Sequence, residues 1–155
     1  TVEQRKKGLR ETKWNGRLTI IHRDPLFIVD GAHNPAAADM LEDSVRKYFK
    51  GRKMYFIMGV FRDKDYSYII RKLCPYAEQI VTIETPDNPR ALPAQELAEA
   101  VRECNPHVQA AENIQDAVNK VFAMAEREDL ILSFGSLSFI GEITTIVKNR
   151  EEKNL

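Results

Sequence analysis

Short apolar runs rich in β-branched and aromatic residues alternate along this chain with segments of helical period, an order that predicts an α/β domain. Residues 18–23 and 26–30 are two such runs separated by Asp24-Pro25, read as a hairpin turn that sets the first strand antiparallel to the second. Residues 35–49 then place Ala37, Met40, Leu41, Val45 and Tyr48 on one helical face, and Gly51 stands where a C-terminal glycine belongs. The alternation continues with strand 54–60, helix 66–73, strand 79–83, helix 94–103, a short strand 108–110, helix 114–127, strand 130–134 and helix 139–149. A charged helical segment at 2–7, ended by Gly8, precedes these elements, and a charged tail at 150–155 is expected to fray. Six strands alternating with helices imply a mostly parallel sheet covered on both faces, with one antiparallel strand.

Polar positions break the pattern just after the strands. Phe27-Ile28-Val29 runs straight into Asp30-Gly31-Ala32-His33-Asn34-Pro35 and then a helix, so polar groups arrive at the carboxyl end of a buried strand. Open α/β sheets place ligands there. Asn34 as N-cap, with Pro35 at the first helical position, leaves backbone N–H groups suited to a phosphate or carboxylate. In a parallel sheet the loops at 30–34, 61–65, 84–92 and 135–136 share this rim. Several side chains on or near it have both a functional and a purely structural reading. Asp30 can take hydrogen bonds from a ribose, help a cation, or be a solvated turn residue. His33 can donate to an anion, shuttle a proton, or bond a loop carbonyl. Arg17 can grip phosphates bidentately or lie on the exposed face of an edge strand. Lys64 and Arg90 can bind a carboxylate, or Lys64 can pair with Asp63 and Asp65 while Arg90 sits in an ordinary loop. Ser136 can donate to a carboxylate or cap the helix after it.

Composition narrows the partners. Lys plus Arg equals Asp plus Glu at 23 each, so no basic field gathers nucleic acid or an anionic membrane. With 43% apolar and 30% charged residues, 155 positions suit one globular domain. No apolar run reaches the roughly 18 residues that span a bilayer. Cys74 and Cys104 lack metal-ligand or Cys-x-x-Cys spacing and read as buried thiols in a reducing cytoplasm.

Asp30-Gly31-Ala32-His33-Asn34-Pro35 resembles the signature of the carboxy-terminal domain of the folylpolyglutamate synthase family, within the Mur ligase superfamily. Trp14-Asn15-Gly16-Arg17-Leu18 is similar to that domain's Trp-Pro-Gly-Arg opening, with Asn15 in place of proline, and Gly59-Val60-Phe61-Arg62-Asp63-Lys64-Asp65 to its Gly-x-x-x-Asp-Lys-Asp loop. The stretch 85–92 and Phe134-Gly135-Ser136-Leu137 follow in the family's order, so the likeness spans roughly residues 8–148. It implies a Rossmann-like three-layer sandwich and an ATP-dependent ligase that adds L-glutamate to the γ-carboxylate of a folate through an acyl phosphate. By resemblance Asp30 and Asn34 serve the nucleotide, Arg17 its phosphates, and His33 the acyl phosphate and incoming amino acid. Lys64, Arg90 and Ser136 belong to the amino-acid pocket.

No Gly-x-x-x-x-Gly-Lys-Ser/Thr occurs. The family keeps its P-loop and Mg2+ site in an amino-terminal domain, so residues 1–16 are read as the end of that domain and a linker. Residues 17–150 are then the glutamate ligase domain and 151–155 the tail of a monomeric protein, inactive without the P-loop domain. Asp87-Asn88-Pro89-Arg90 also resembles a motif of the diaminopimelate-adding Mur ligase, which usually carries Asp-Tyr-Ala-His-Thr-Pro upstream. A muropeptide ligase and a non-catalytic nucleotide- or partner-binding module are therefore the alternatives.

Overall fold

The computed structural model describes residues 17–154, so the segment at 2–7 and Trp14-Asn15-Gly16 lie outside the described residues. Six strands, β1 (Thr19–Arg23), β2 (Leu26–Val29), β3 (Met54–Met58), β4 (Gln79–Thr82), β5 (Val108–Ala110) and β6 (Leu130–Phe134), form one sheet in the order β1-β2-β6-β3-β4-β5. β1 and β2 are antiparallel and every other pair is parallel. Among the described residues, five helices cover the sheet: α1 (Pro35–Tyr48), α2 (Tyr66–Leu73), α3 (Ala94–Arg102), α4 (Ile114–Met124) and α5 (Ile140–Lys153).

The strands feed two cores. Leu130, Leu132 and Phe134 of β6 join Leu41, Val45, Ile69, Leu73 and Leu97 of α1, α2 and α3 on one face. Ile131 joins Val118, Val121, Ile143 and Val147 of α4 and α5 on the other. Burial on both faces explains why β3 is a continuous apolar run and β6 one broken only by the buried Ser133, rather than alternating ones.

Element ends moved where polar groups intervene. The helix expected over 114–127 stops at Met124, because the Asp129 carboxylate accepts the Glu126 N–H at 2.8 Å and turns the chain into β6. β3 stops at Met58, since the Gly59 N–H donates to the Phe134 carbonyl while the Val60 carbonyl accepts from Leu92. The helix expected over 139–149 begins after a 3-10 turn (Leu137–Phe139) and runs to Lys153. Residues 142–153 contain no Gly or Pro to end it, so most of the tail expected to fray is helical. Cys74 is buried, while Cys104 is half-buried with its thiol toward the Ile70 carbonyl; both are free thiols. No helix among the described residues is long and apolar enough to cross a membrane.

The chain leaves β2 for α1 on one face and leaves β6 for α5 on the other, while β6 lies between β2 and β3. A crevice therefore opens at the carboxyl ends of β2 and β6, the topological switch point of the sheet.

Candidate functional site

The crevice is a cleft of about 570 Å³ whose lining includes Arg17, Asp30, His33, Asn34, Met40 and Leu137. Local chain chemistry fixes most of these side chains. Asn34 is extended and caps α1: its Oδ1 accepts the Ala37 N–H at 2.8 Å, and Pro35 has no N–H to satisfy. The expected N-cap is therefore present, with the first turn of α1 forming one wall of the cleft.

His33 lies half-buried with Nδ1 2.8 Å from the Gly31 carbonyl oxygen. A carbonyl only accepts, so Nδ1 carries the proton and Nε2 is left without a partner among the described residues. The loop-carbonyl reading and the functional reading coexist in one ring: one nitrogen orients it, and the other is available. A neutral ring can accept at Nε2, and an imidazolium can donate there.

Asp30 is 6% exposed, and both carboxylate oxygens are engaged by backbone. Oδ1 accepts the Ala32 N–H at 2.8 Å and Oδ2 the Leu18 N–H at 3.0 Å. Burial pushes its pKa above the ordinary carboxylate value, against the opposing pull of these two amides and the Arg17 charge. The solvated-turn reading thus does not hold. Leu18 itself has φ +43°, a left-handed conformation that costs a residue other than glycine about 1–3 kcal/mol. Arg17 is exposed, and its Nη1 lies 3.5 Å from Met40 Sδ, a weak acceptor that leaves its strong donors free for a ligand.

Lys64, Arg90 and Ser136 occupy neighbouring loops of the same sheet edge rather than the cleft lining. Lys64 makes no ion pair among the described residues, so the expected pairing with Asp63 or Asp65 is absent there. Asp65 instead caps α2 through the Tyr68 N–H, and Asp63 pairs with Arg90. Arg90 donates from Nε and Nη2 to Asp63 at 3.1 and 2.6 Å and stands over the Phe61 ring at 4.7 Å. The Asp63 charge holds Arg90 above its ordinary pKa, and the guanidinium holds Asp63 below its own. Together with the Phe61–Ala91 bridge and the Arg62 N–H to Arg90 carbonyl bond at 2.7 Å, this pair fastens the loops after β3 and β4 together. Ser136 is buried; its Oγ accepts the Ser138 N–H at 3.1 Å and lies 2.8 Å from the Ser138 hydroxyl, so it caps the 3-10 turn.

Sequence reasoning missed Leu18, Met40 and Leu137. Met40, placed by its periodicity on the packed face of α1, is 54% exposed in the cleft, because the buried line is Ala38, Leu41 and Val45. Leu137, 56% exposed, also lines the cleft. The Asp-Gly-Ala order did carry a signal for the Asp30 bond to Ala32, since an aspartate readily binds its own backbone two residues on.

With this geometry in place, comparison with known proteins gives a consistent result. Residues 16–137 match the family model of the Mur ligase, glutamate ligase domain. The dihydrofolate synthase/folylpolyglutamate synthase of Bacillus subtilis is 27% identical over 146 residues, covering 94% of this chain and 33% of that protein. The E. coli FolC structure with ADP superimposes with a TM-score of 0.80 at 23% identity, over 92% of this chain and 33% of that one. The Mycobacterium tuberculosis folylpolyglutamate synthase complexed with ADP gives 0.71 at 27% identity, over 88% and 32%. The chain thus spans about a third of the length of each.

Proposed function

Because this chain belongs to the Mur ligase family through its glutamate ligase domain, we propose that it is the carboxy-terminal part of an ATP-dependent folate–glutamate ligase. The observation that carries this reading is one cleft lined by a free guanidinium, an oriented imidazole and a capped helix start at the switch point of the sheet. The reaction forms an amide in two steps. The γ-carboxylate of the folate attacks the terminal phosphorus of ATP, giving an acyl phosphate and ADP. The amino group of L-glutamate then attacks the acyl carbon, and phosphate leaves from the tetrahedral intermediate.

Arg17 grips the transferring phosphate through its free donors, which strengthen as charge builds on the oxygens. His33 orients the acyl phosphate and the incoming amine through Nε2, held in place by the Gly31 carbonyl. Asn34 serves indirectly, by fixing the first turn of α1 against the nucleotide. Lys64 supplies the uncommitted cation for the carboxylates of glutamate. Arg90 and Ser136 shape that pocket through the Asp63 clasp and the cap before α5.

The relatives' greater length supports a preceding domain, which on this reading holds the P-loop. No three His, Cys, Asp or Glu side chains among the described residues gather into a metal-binding group, and both Asp30 oxygens are engaged. These residues form no protein cage for a divalent cation, and on this reading Mg2+ would be held with the ATP phosphates by the P-loop domain. Closure of the two domains would bring Arg17 and His33 to the phosphates and keep water from the acyl phosphate.

The test is ADP release by the full-length protein with tetrahydrofolate and L-glutamate, and separately with UDP-MurNAc-dipeptide and diaminopimelate. Release that needs folate and glutamate is expected, with Arg17→Ala and His33→Ala each lowering kcat about 100-fold or more. Release with the muropeptide would move the assignment to the cell-wall branch, and release with neither would leave a binding module.

A further inference from the structure

The loops after β3 and β4 are joined twice over, once by backbone and once by side chains. The Val60 carbonyl accepts the Leu92 N–H at 3.1 Å, the Arg62 N–H donates to the Arg90 carbonyl at 2.7 Å, and Phe61 bridges Ala91 between them. The turn before Arg90 is closed on Asn88, whose Oδ1 accepts the Arg90 N–H and whose carbonyl accepts the Ala91 N–H. This backbone clamp holds the loops without help, and an ion pair whose partners are 55% and 50% exposed adds little to stability. What the Asp63–Arg90 pair does fix is a direction. Nε and Nη2 of Arg90 donate to separate oxygens of Asp63, and the Phe61 ring lies against the guanidinium at 4.7 Å. A guanidinium carries five N–H donors, and Asp63 takes only one from Nε and one from Nη2, so the parallel pair on the Nη1–Nη2 edge, which matches a carboxylate, has no partner among the described residues. Lys64 follows Asp63 directly and its charge also acts on that carboxylate, whereas Arg62 turns away to Glu96 at 3.4 Å.

We propose that Asp63 is a positioning residue for the incoming amino acid: with the Phe61 ring it locks the Arg90 guanidinium so that the free Nη1–Nη2 edge, together with the Lys64 ammonium, receives a carboxylate of L-glutamate. The inference rests on the ligase reading for the identity of that amino acid. Two cations around one carboxylate leave a net positive charge at this part of the rim, the right sign for one further carboxylate. The lock removes in advance the rotamer freedom that a long arginine side chain would otherwise lose on binding, so Asp63 strengthens recognition without touching the amino acid. It acts on glutamate binding and leaves the phosphate chemistry at Arg17 and His33 alone. Asp63→Asn is the near-isosteric probe: one oxygen still accepts, but the amide nitrogen cannot accept the second Arg90 N–H, so the side-on fork opens.

ADP release by the full-length protein is followed with L-glutamate varied at saturating ATP and tetrahydrofolate, in the wild type, Asp63→Asn, Arg90→Ala and the double variant. The lock predicts that Asp63→Asn raises KM for glutamate about tenfold while changing kcat and KM for ATP less than about twofold. In the Arg90→Ala background the same substitution should change KM for glutamate less than about twofold. An equal rise in both backgrounds would show Asp63 acting without Arg90, and a lowered KM in Asp63→Asn would show it competing with the substrate for Arg90; either overturns the proposal. An unchanged KM does so too. Because the backbone clamp holds the loops, the melting temperature of Asp63→Asn should match that of the wild type. A lower one with wild-type kinetics would make the pair a structural contact only, and the proposal would fall. If the wild type releases no ADP, the ligase reading fails by itself. The lock is then read from 15N relaxation at Arg90 Nε. An order parameter near that of rigid backbone, about 0.85, in the wild type and below about 0.6 in Asp63→Asn supports it, and equal values overturn it.

Discussion

At Gly135 an added Cβ would fall inside the contact distance of the Gly59 carbonyl oxygen, and the backbone there sits at φ +115°. The ends of β3 and β6 meet at this point, through the Gly59 N–H bonded to the Phe134 carbonyl, just before Ser136 begins the rim. Backbone cannot retreat cheaply, so Gly135→Ala is expected to cost about 3 kcal/mol or more. Gly51 gives the contrast. It also has positive φ, at +88°, but nothing lies within 4 Å of an added Cβ. Gly51→Ala therefore carries only the conformational penalty, about 1 kcal/mol. Urea midpoints of the two variants check the difference, which isolates close approach from backbone preference. Gly51 was legible as a helix-terminating glycine, whereas the crowding at Gly135 depends on a neighbour far away in sequence.

Between elements, α1 and α2 are joined by a polar network that no periodicity reveals. Glu42 on α1 accepts the Tyr76 hydroxyl at 2.8 Å and Lys72 at 2.9 Å, while Asp39 accepts the Tyr68 hydroxyl at 2.6 Å. The helices begin just after His33 and Lys64 respectively, so the network also fixes the spacing of two proposed site residues. Lys72 first, then Tyr76, hold the Glu42 carboxyl below its ordinary value of 4.5. A depressed folded-state pKa means that the stability from ionised Glu42 is complete above the unfolded-state value and disappears as pH falls through the folded one. Glu42→Gln should cost about 1 kcal/mol at pH 7. Its stability should converge on that of the wild type as pH drops below 4.5, as read from urea unfolding at a series of pH values. A penalty unchanged down through the acid range would mean that packing, not charge, is lost.

Across the molecule, the order of strands and helices was legible because burial on both faces of a parallel sheet imposes long apolar runs, and because Asn34 punctuates the start of α1. Asp30, His33 and Asn34 were legible together because they share the loop at the carboxyl end of β2, whereas Arg17, just before antiparallel β1, was joined to them only by the family resemblance. What escaped was set by long-range geometry, including the Arg90 clasp on Asp63 and the direction of the Asp30 carboxylate. Surface hydrophobicity escaped as well. Among the described residues, the large hydrophobic side chains left exposed are Met40 and Leu137, and both border the cleft. Their exposure means that the isolated fold gains little from them, so the double variant Met40→Ser, Leu137→Ser should change chain stability by less than about 0.5 kcal/mol per site. In the full-length protein the outcome should differ, because on the two-domain reading closure over the bound substrates covers these surfaces. Each buried apolar side chain then contributes about 1.5 kcal/mol or more to the closed state. Steady-state kinetics should show KM for ATP raised about 100-fold, with the melting temperature of the apoprotein unchanged. An unaltered KM would mean that these residues stay in water throughout turnover, whereas a lowered melting temperature would mean that they already support the open fold.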